Sequence, residues 1–347
     1  MATHRIIVRS DTAKKLNLYT AAATVASIPL MDLPVLLSDK ALQGSEKDLA
    51  KSAQSSLEAG MYPTLEFIPM PKLGYGNRPL ASLGPETRVV LTSIVNALED
   101  SLPKSSRQGG FSNFEKFGTE SDDSWLVDFD IAACYEYIDH NILDDELIRQ
   151  GADADIVRLT SELLHSMLAR PIGLPQGLDP SHRLSDAYLD RIQRNLLRHG
   201  YSGTRFADDF RMVVQSPEEA HKLISLSIEE ARSVHLTLAE QKIRVRRSKD
   251  VVAELVNRTS VFEDYVEKMI DELTEEITQK VDYDDFETEY VVPDEDVVNF
   301  AALEELLEDW GDKDRASSRA LAHAGTFALR QAQEIKHDIK PLAALQE

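Results

Sequence analysis

The chain has 347 residues, 42% of them hydrophobic, which is material for a sizeable core in two domains or in one domain with an appendage. Its single cysteine, Cys134, excludes an intrachain disulfide and a cysteine-built zinc site. The net charge of −22 argues against a nucleic-acid partner until its distribution is read: residues 251–347 carry 25 acidic and 9 basic side chains, residues 1–250 carry 35 and 29.

The N-terminal "MATHRIIVRSDTAKKLNLY" lacks the apolar core of a signal peptide. The chain has no run of about 18 apolar residues, so neither a membrane partner nor a membrane span is expected and the expected location is cytoplasmic. Residues 38–60 read as polar helix, closing an N-terminal helical extension over 1–60. "EFIPMPKLGYGNRPLAS" (66–82) reads as two short strands around a glycine-rich turn, with Lys72 and Arg78 at that turn. Pro85 opens a helix, and Val89, Val90, Ile94, Val95, Leu98 and Leu102 recur at helical spacing behind it. "SWLVDFDIAACYEYIDH" begins as an apolar strand at 125–129 and runs into a helix. Asp130 at that junction suits a helix N-cap, and Asp128 a strand surface.

Ile156, Leu159, Leu163, Leu164 and Met167 mark another helix. "GLPQGLDPSHRLSDAYLDRIQRNLLRHG" is a glycine-flanked loop holding Gln176 and Gly177, then an amphipathic helix with Leu184, Tyr188, Ile192 and Leu196 on its apolar stripe. "TRFADDFRMVV" (204–214) reads as strand, tight turn, strand, with Asp208 and Asp209 at the turn. Two adjacent carboxylates raise the cost of ionising each other. Asp is a common turn residue, which is one account of the pair; a bound divalent cation is the other. If the 125–130 strand lies beside this hairpin, Asp130 joins them, and three carboxylates suffice for two metal ions at a phosphoryl-transfer centre. A helix over 216–234 and the extended "LTLAEQKIRVRR" follow, the latter running into the basic cluster 242–249.

Beyond 250 the composition changes. Residues 261–310 carry 19 acidic and 2 basic side chains, yet Phe262, Val266, Met269 and Leu273 keep helical spacing. "VDYDDFETEYVVPDEDV" reads as loop or short strands, and "FAALEELLEDW" and "RALAHAGTFALRQAQEI" as helices. The apolar residues interleaved with the acids are too many for a solvating tail, so this region is expected to pack on a protein surface, its own or a partner's.

In order, "PKLGYGNRPL", "DIAACYEYIDH", "GLPQG" with its helix, "FADD" and "LTLAEQK" resemble reverse transcriptases, above all bacterial ones related to group II intron enzymes. The resemblance spans about Glu66 to Val245. It implies an α+β fold: right-hand polymerase fingers and palm over 61–250, then a mostly helical, thumb-like acidic region over 251–347. It implies DNA synthesis from deoxynucleoside triphosphates on an RNA template or noncoding RNA, with two Mg2+ ions, for which Mn2+ can substitute. Asp130 and Asp208 would bind both metals, Asp209 would support them, and the Ile131 carbonyl would complete one shell. Tyr135 would pack under the sugar and exclude a 2′-hydroxyl. Lys72 and Arg78 would hold the triphosphate, Gln176 and Gly177 would lie against the nascent pair, and Lys242 would stand near the leaving group. "LDPSHRLSDAYL" and "DDFRM" depart from the intron type and resemble abortive-infection and other defence-associated enzymes. A retron-like or diversity-generating enzyme, and an inactive polymerase-derived scaffold, are the alternative readings. The acidic region is the expected surface for a second copy or a partner protein.

Overall fold

Four helices lead the chain: α1 (Ser10–Ala13), α2 (Leu18–Ser27), α3 (Leu37–Leu42) and α4 (Glu46–Ala59). α4 buries Leu49, Ala53 and Leu57, one residue per turn, and ends at Gly60, whose φ of 87° stops the helix. The structure, a computed structural model, describes residues 5–27, 37–71, 76–273, 275–282, 285–291 and 295–311. The chain divides into two units, Met1–Arg247 and Ser248–Glu347.

In the first unit, β1 (Leu65–Pro71) and β2 (Asn77–Leu83) form an antiparallel hairpin. The sequence spacing predicts these strands; Lys72 and its turn lie outside the described residues. α5 (Pro85–Leu98) starts on proline, which lacks the amide hydrogen a first turn leaves unsatisfied, and buries Val89, Val90, Ile94, Val95 and Leu98. α6 (Gly110–Lys116) follows, then β3 (Trp125–Asp130), α7 (Cys134–Tyr137), α8 (His140–Arg149), α9 (Ala154–Leu168) and α10 (Asp179–Arg198). α8 and α9 are capped by Asp139 and Asp153, each of which accepts two amide hydrogen bonds. β4 (Ser202–Phe206) and β5 (Asp209–Val214) form the second hairpin, α11 (Pro217–Ser233) is capped by Ser216, and β6 (Arg244–Arg247) closes the unit.

The sheet order is β4-β5-β3-β6, antiparallel throughout, with β3 and β5 central. One core joins this sheet to the helices, and its largest members include Tyr188, Phe129 and Phe210. Phe129 and Phe210 are register partners whose rings stack 4.9 Å apart. The predicted stripe of α10 is realised: Leu184, Tyr188, Ile192 and Leu196 are all buried.

The second unit holds α12 (Ser248–Leu273), a hairpin of β7 (Glu275–Asp282) and β8 (Asp285–Val291), and α13 (Glu295–Gly311). α12 and α13 pack on each other around Met269, Val298 and Ala302, and Tyr265 donates a hydrogen bond to Asp309. The acidic stretch therefore owns a small core. Its predicted last helix, over 319–335, lies outside the described residues. Among the described residues no helix is long and apolar enough to cross a membrane.

Candidate active site

Asp130 is the last residue of β3 and stands opposite Asp209, the first residue of β5. The hairpin turn is Ala207–Asp208, so only one of the two adjacent aspartates occupies the turn predicted for both. The reason lies at Ala207, which takes the positive φ of 55° that a tight hairpin needs. Two groups hold it there: its amide donates to Ser106 Oγ at 3.1 Å, and its carbonyl accepts from Arg205 Nη1 at 2.6 Å. Arg205 is itself buried and donates to Asp186 Oδ1 of α10 at 2.9 Å. Asp186 also accepts from the Ser106 amide at 3.2 Å and Arg183 at 3.4 Å. Helix, loop and hairpin are thereby tied at one point beneath Asp208.

The result is a convergence of Asp130, Asp208 and Asp209, with one carboxylate oxygen from each within 4.8 Å of the others. Asp130 is buried, the other two half-buried. Burial, then the charge of Asp208, push the Asp130 carboxyl up to about 7, against the hydrogen bond it accepts from Lys242 Nζ at 2.6 Å. At Lys242 burial opposes the charge, but that hydrogen bond and the three carboxylates outweigh it and hold the ammonium above the ordinary lysine value. The set fits a hard divalent cation: its donors are carboxylate oxygens, and the charges of Asp208 and Asp209 both act against ionisation of Asp130.

Asp128 supplies the contrast. It lies two residues before Asp130 on the same strand face. Expected at the surface, it is instead gripped by both prongs of Arg211, at 2.6 and 3.0 Å, and by Arg246 at 2.7 Å. Its charge is met by two guanidinium groups.

The other predicted residues fall into two groups. Tyr135 and Gln176 meet on the wall of a cavity of about 120 Å³, with Phe67, Pro79, Glu136, Arg170 and Leu174. The Gln176 carbonyl accepts from the Ala81 amide at 2.9 Å, which docks its loop on β2, and Gly177 has the positive φ of 87° such a turn requires. The Ile131 amide donates to the Asp208 carbonyl at 3.2 Å, placing its backbone at the carboxylates. Arg78 is exposed on β2, in the first hairpin and not in the sheet that carries the carboxylates. The predicted polymerase residues did not include Ser106, Arg107, His182, Ser185, Asp186 and Arg205. Polar Ser181, Ser185 and Asp186 on the buried side of an amphipathic helix were the available signal.

His182 Nδ1 lies 2.7 Å from the Tyr135 hydroxyl, and the rings meet edge to face. Burial, then the nearby Arg107 charge, lower His182 to about 4. Arg107 also sits over the Phe206 ring, 5.7 Å from its centroid.

A carboxylate at the end of β3 thus faces one in the hairpin turn and one at the start of β5, on the central strands of an antiparallel sheet backed by helices. The family model of reverse transcriptase (RNA-dependent DNA polymerase) matches residues 70–281, and the chain belongs to that family. It is an RNA-directed DNA polymerase, whose substrates are a nucleic-acid template and deoxynucleoside triphosphates; enzymes of this family generally use divalent metal ions. A comparison with curated proteins finds no match.

Proposed function

We propose that Asp130, Asp208 and Asp209 hold two magnesium ions, with the Ile131 carbonyl as a further ligand, and that the enzyme copies RNA into DNA at this point. The observation that carries the reading is the convergence of three carboxylate oxygens within 4.8 Å at the end of the central strands. The bound ions supply the charge that activates a 3′-hydroxyl and stabilises the leaving pyrophosphate. The protein's own part is positional. The Arg205 clamp keeps Asp208 in the turn, and β3 presents Asp130 opposite Asp209. Lys242, whose Nζ donates to Asp130 at 2.6 Å, is assigned as the proton donor to the leaving group. Lys72 and Arg78 hold the triphosphate, Gln176 and Gly177 bear on the nascent pair, and Tyr135 lies under the sugar.

In this reading β1–β2 belong to the fingers, the four-stranded sheet is the palm, and the acidic region follows in the chain where a thumb is encoded. The domain limits are 1–60, 61–250 and 251–347. The "LDPSHRLSDAYL" and "DDFRM" segments favour a cytoplasmic, defence-associated enzyme, with the acidic region as the surface for a second copy or a partner. Primer extension on an RNA template tests the site. Asp208→Asn is expected to abolish deoxynucleotide incorporation while thermal stability holds or rises, since a like charge is removed. Full activity in the folded variant would refute the assignment. Sequencing nucleic acid that copurifies with the protein tests the biological role: host transcripts alone would count against a dedicated defence template.

A further inference from the structure

Tyr135 is held from behind. Its hydroxyl lies 2.7 Å from His182 Nδ1 and 3.2 Å from Ser185 Oγ, and Ser185 Oγ donates to the His182 carbonyl at 2.8 Å. The ring forms one wall of the cavity shared with Phe67, Pro79, Leu174 and Gln176, while its hydroxyl end is buried against α10. We infer that His182 sets the sugar selectivity of this polymerase by fixing the Tyr135 ring through its hydroxyl. The inference rests on Tyr135 lying under the nucleotide sugar, as proposed above.

The mechanics are those of a braced wall. A wall excludes a 2′-hydroxyl only as sharply as it resists being pushed, because a displacement of a few tenths of an ångström relieves most of a clash. A phenol ring swings about its first side-chain torsion, and its para position moves furthest; turning about the second leaves that position on the axis. A hydrogen bond at that position restrains the longest lever arm. The phenol has one proton. Donated to Nδ1 of a neutral His182, it makes the short bond; Ser185 Oγ gives its own proton to the His182 carbonyl, so its 3.2 Å approach to the phenol oxygen is a contact with no proton between them. A phenylalanine in the same place would be held by packing alone.

The experiment compares kcat/KM for a deoxynucleotide and its ribonucleotide in primer extension, in wild type, His182→Leu, His182→Asn, Tyr135→Phe, Tyr135→Ala and the Tyr135→Phe/His182→Leu double variant. His182→Leu and Tyr135→Phe are each expected to lower discrimination about fivefold, the factor one hydrogen bond of ordinary net strength represents. The double variant is expected to lose no more than either single one, and His182→Asn, whose Oδ1 can accept as Nδ1 does, to retain most of the discrimination. Tyr135→Phe removes one atom and serves as the control for folding. Unchanged discrimination in His182→Leu, while Tyr135→Ala loses it, overturns the role of His182 and leaves that of Tyr135 standing. Equal further loss in the Tyr135→Phe background shows that His182 does not act through the hydroxyl and also overturns it. Unchanged discrimination in Tyr135→Ala removes the Tyr135 assignment and this inference together.

Discussion

Arg205 bridges two acceptors, the Asp186 carboxylate at 2.9 Å and the Ala207 carbonyl at 2.6 Å. Replacing it by methionine leaves a buried carboxylate short of its nearest cation, at a cost on the order of 3 kcal/mol. Arg205→Met should therefore unfold at lower denaturant and lose incorporation. Adding Asp186→Asn should return part of the stability and none of the activity. Equal stability of Arg205→Met and wild type would show that the clamp is ornamental. His182 gives a pH signature. Its folded value of about 4 lies below the ordinary histidine value, so the fold favours the neutral ring. That contribution is complete above about pH 6.5 and is lost as the pH falls towards 4; Arg107 opposes protonation and Asp186 favours it. Between pH 7 and 5 the expected loss is ~2 kcal/mol. Urea unfolding of His182→Asn should show a correspondingly flatter pH dependence, and an unaltered slope would place the titration elsewhere.

Elements were more legible in the sequence than the bonds that fix them. β3 announced itself as an apolar run, α10 as a stripe, and the second hairpin as strand, turn, strand. Local chemistry favoured the aspartate pair for the turn; Ala207 took the left-handed position because Ser106, 101 residues away, and Arg205 anchor its peptide groups. Asp128 looked like a surface residue because its partners, Arg211 and Arg246, lie 83 and 118 residues further on. No local pattern encodes such pairings. The hairpin makes its own prediction. Ala207→Val puts a β-branched side chain at a φ of 55°. Ala207 already bears part of the roughly 1–3 kcal/mol that a residue held in a sparsely populated backbone region costs, so the branched side chain should add about 1 kcal/mol. Because the turn carries Asp208, divalent-ion dependence of activity should shift to higher concentration; unchanged stability and ion dependence would mean the turn relaxes freely.

Charge is divided along the whole molecule. The first unit ends on an exposed basic strand edge, where Lys242, Arg244 and Arg247 follow closely, while the acidic surplus lies beyond it. Affinity for nucleic acid should fall steeply with salt despite the net charge of −22, because local cations, not the total, displace counterions. Arg244→Glu should weaken binding and make the log–log salt slope shallower by about one unit for each phosphate that is no longer neutralised; fluorescence anisotropy at several salt concentrations reads both. An unaltered slope would remove β6 from the binding surface. The Asp128–Arg211 fork reaches beyond the strand that holds it. Sliding β3 by one residue against β5 would turn its inner face outward and leave a carboxylate and a guanidinium buried without each other. Misaligned molecules are thereby driven back to the unfolded ensemble instead of persisting as near-copies with a dead centre. The fork thus acts as a proofreader of assembly: weakening it should yield fewer working molecules, each turning over at the full rate, and not a uniform population of slow ones.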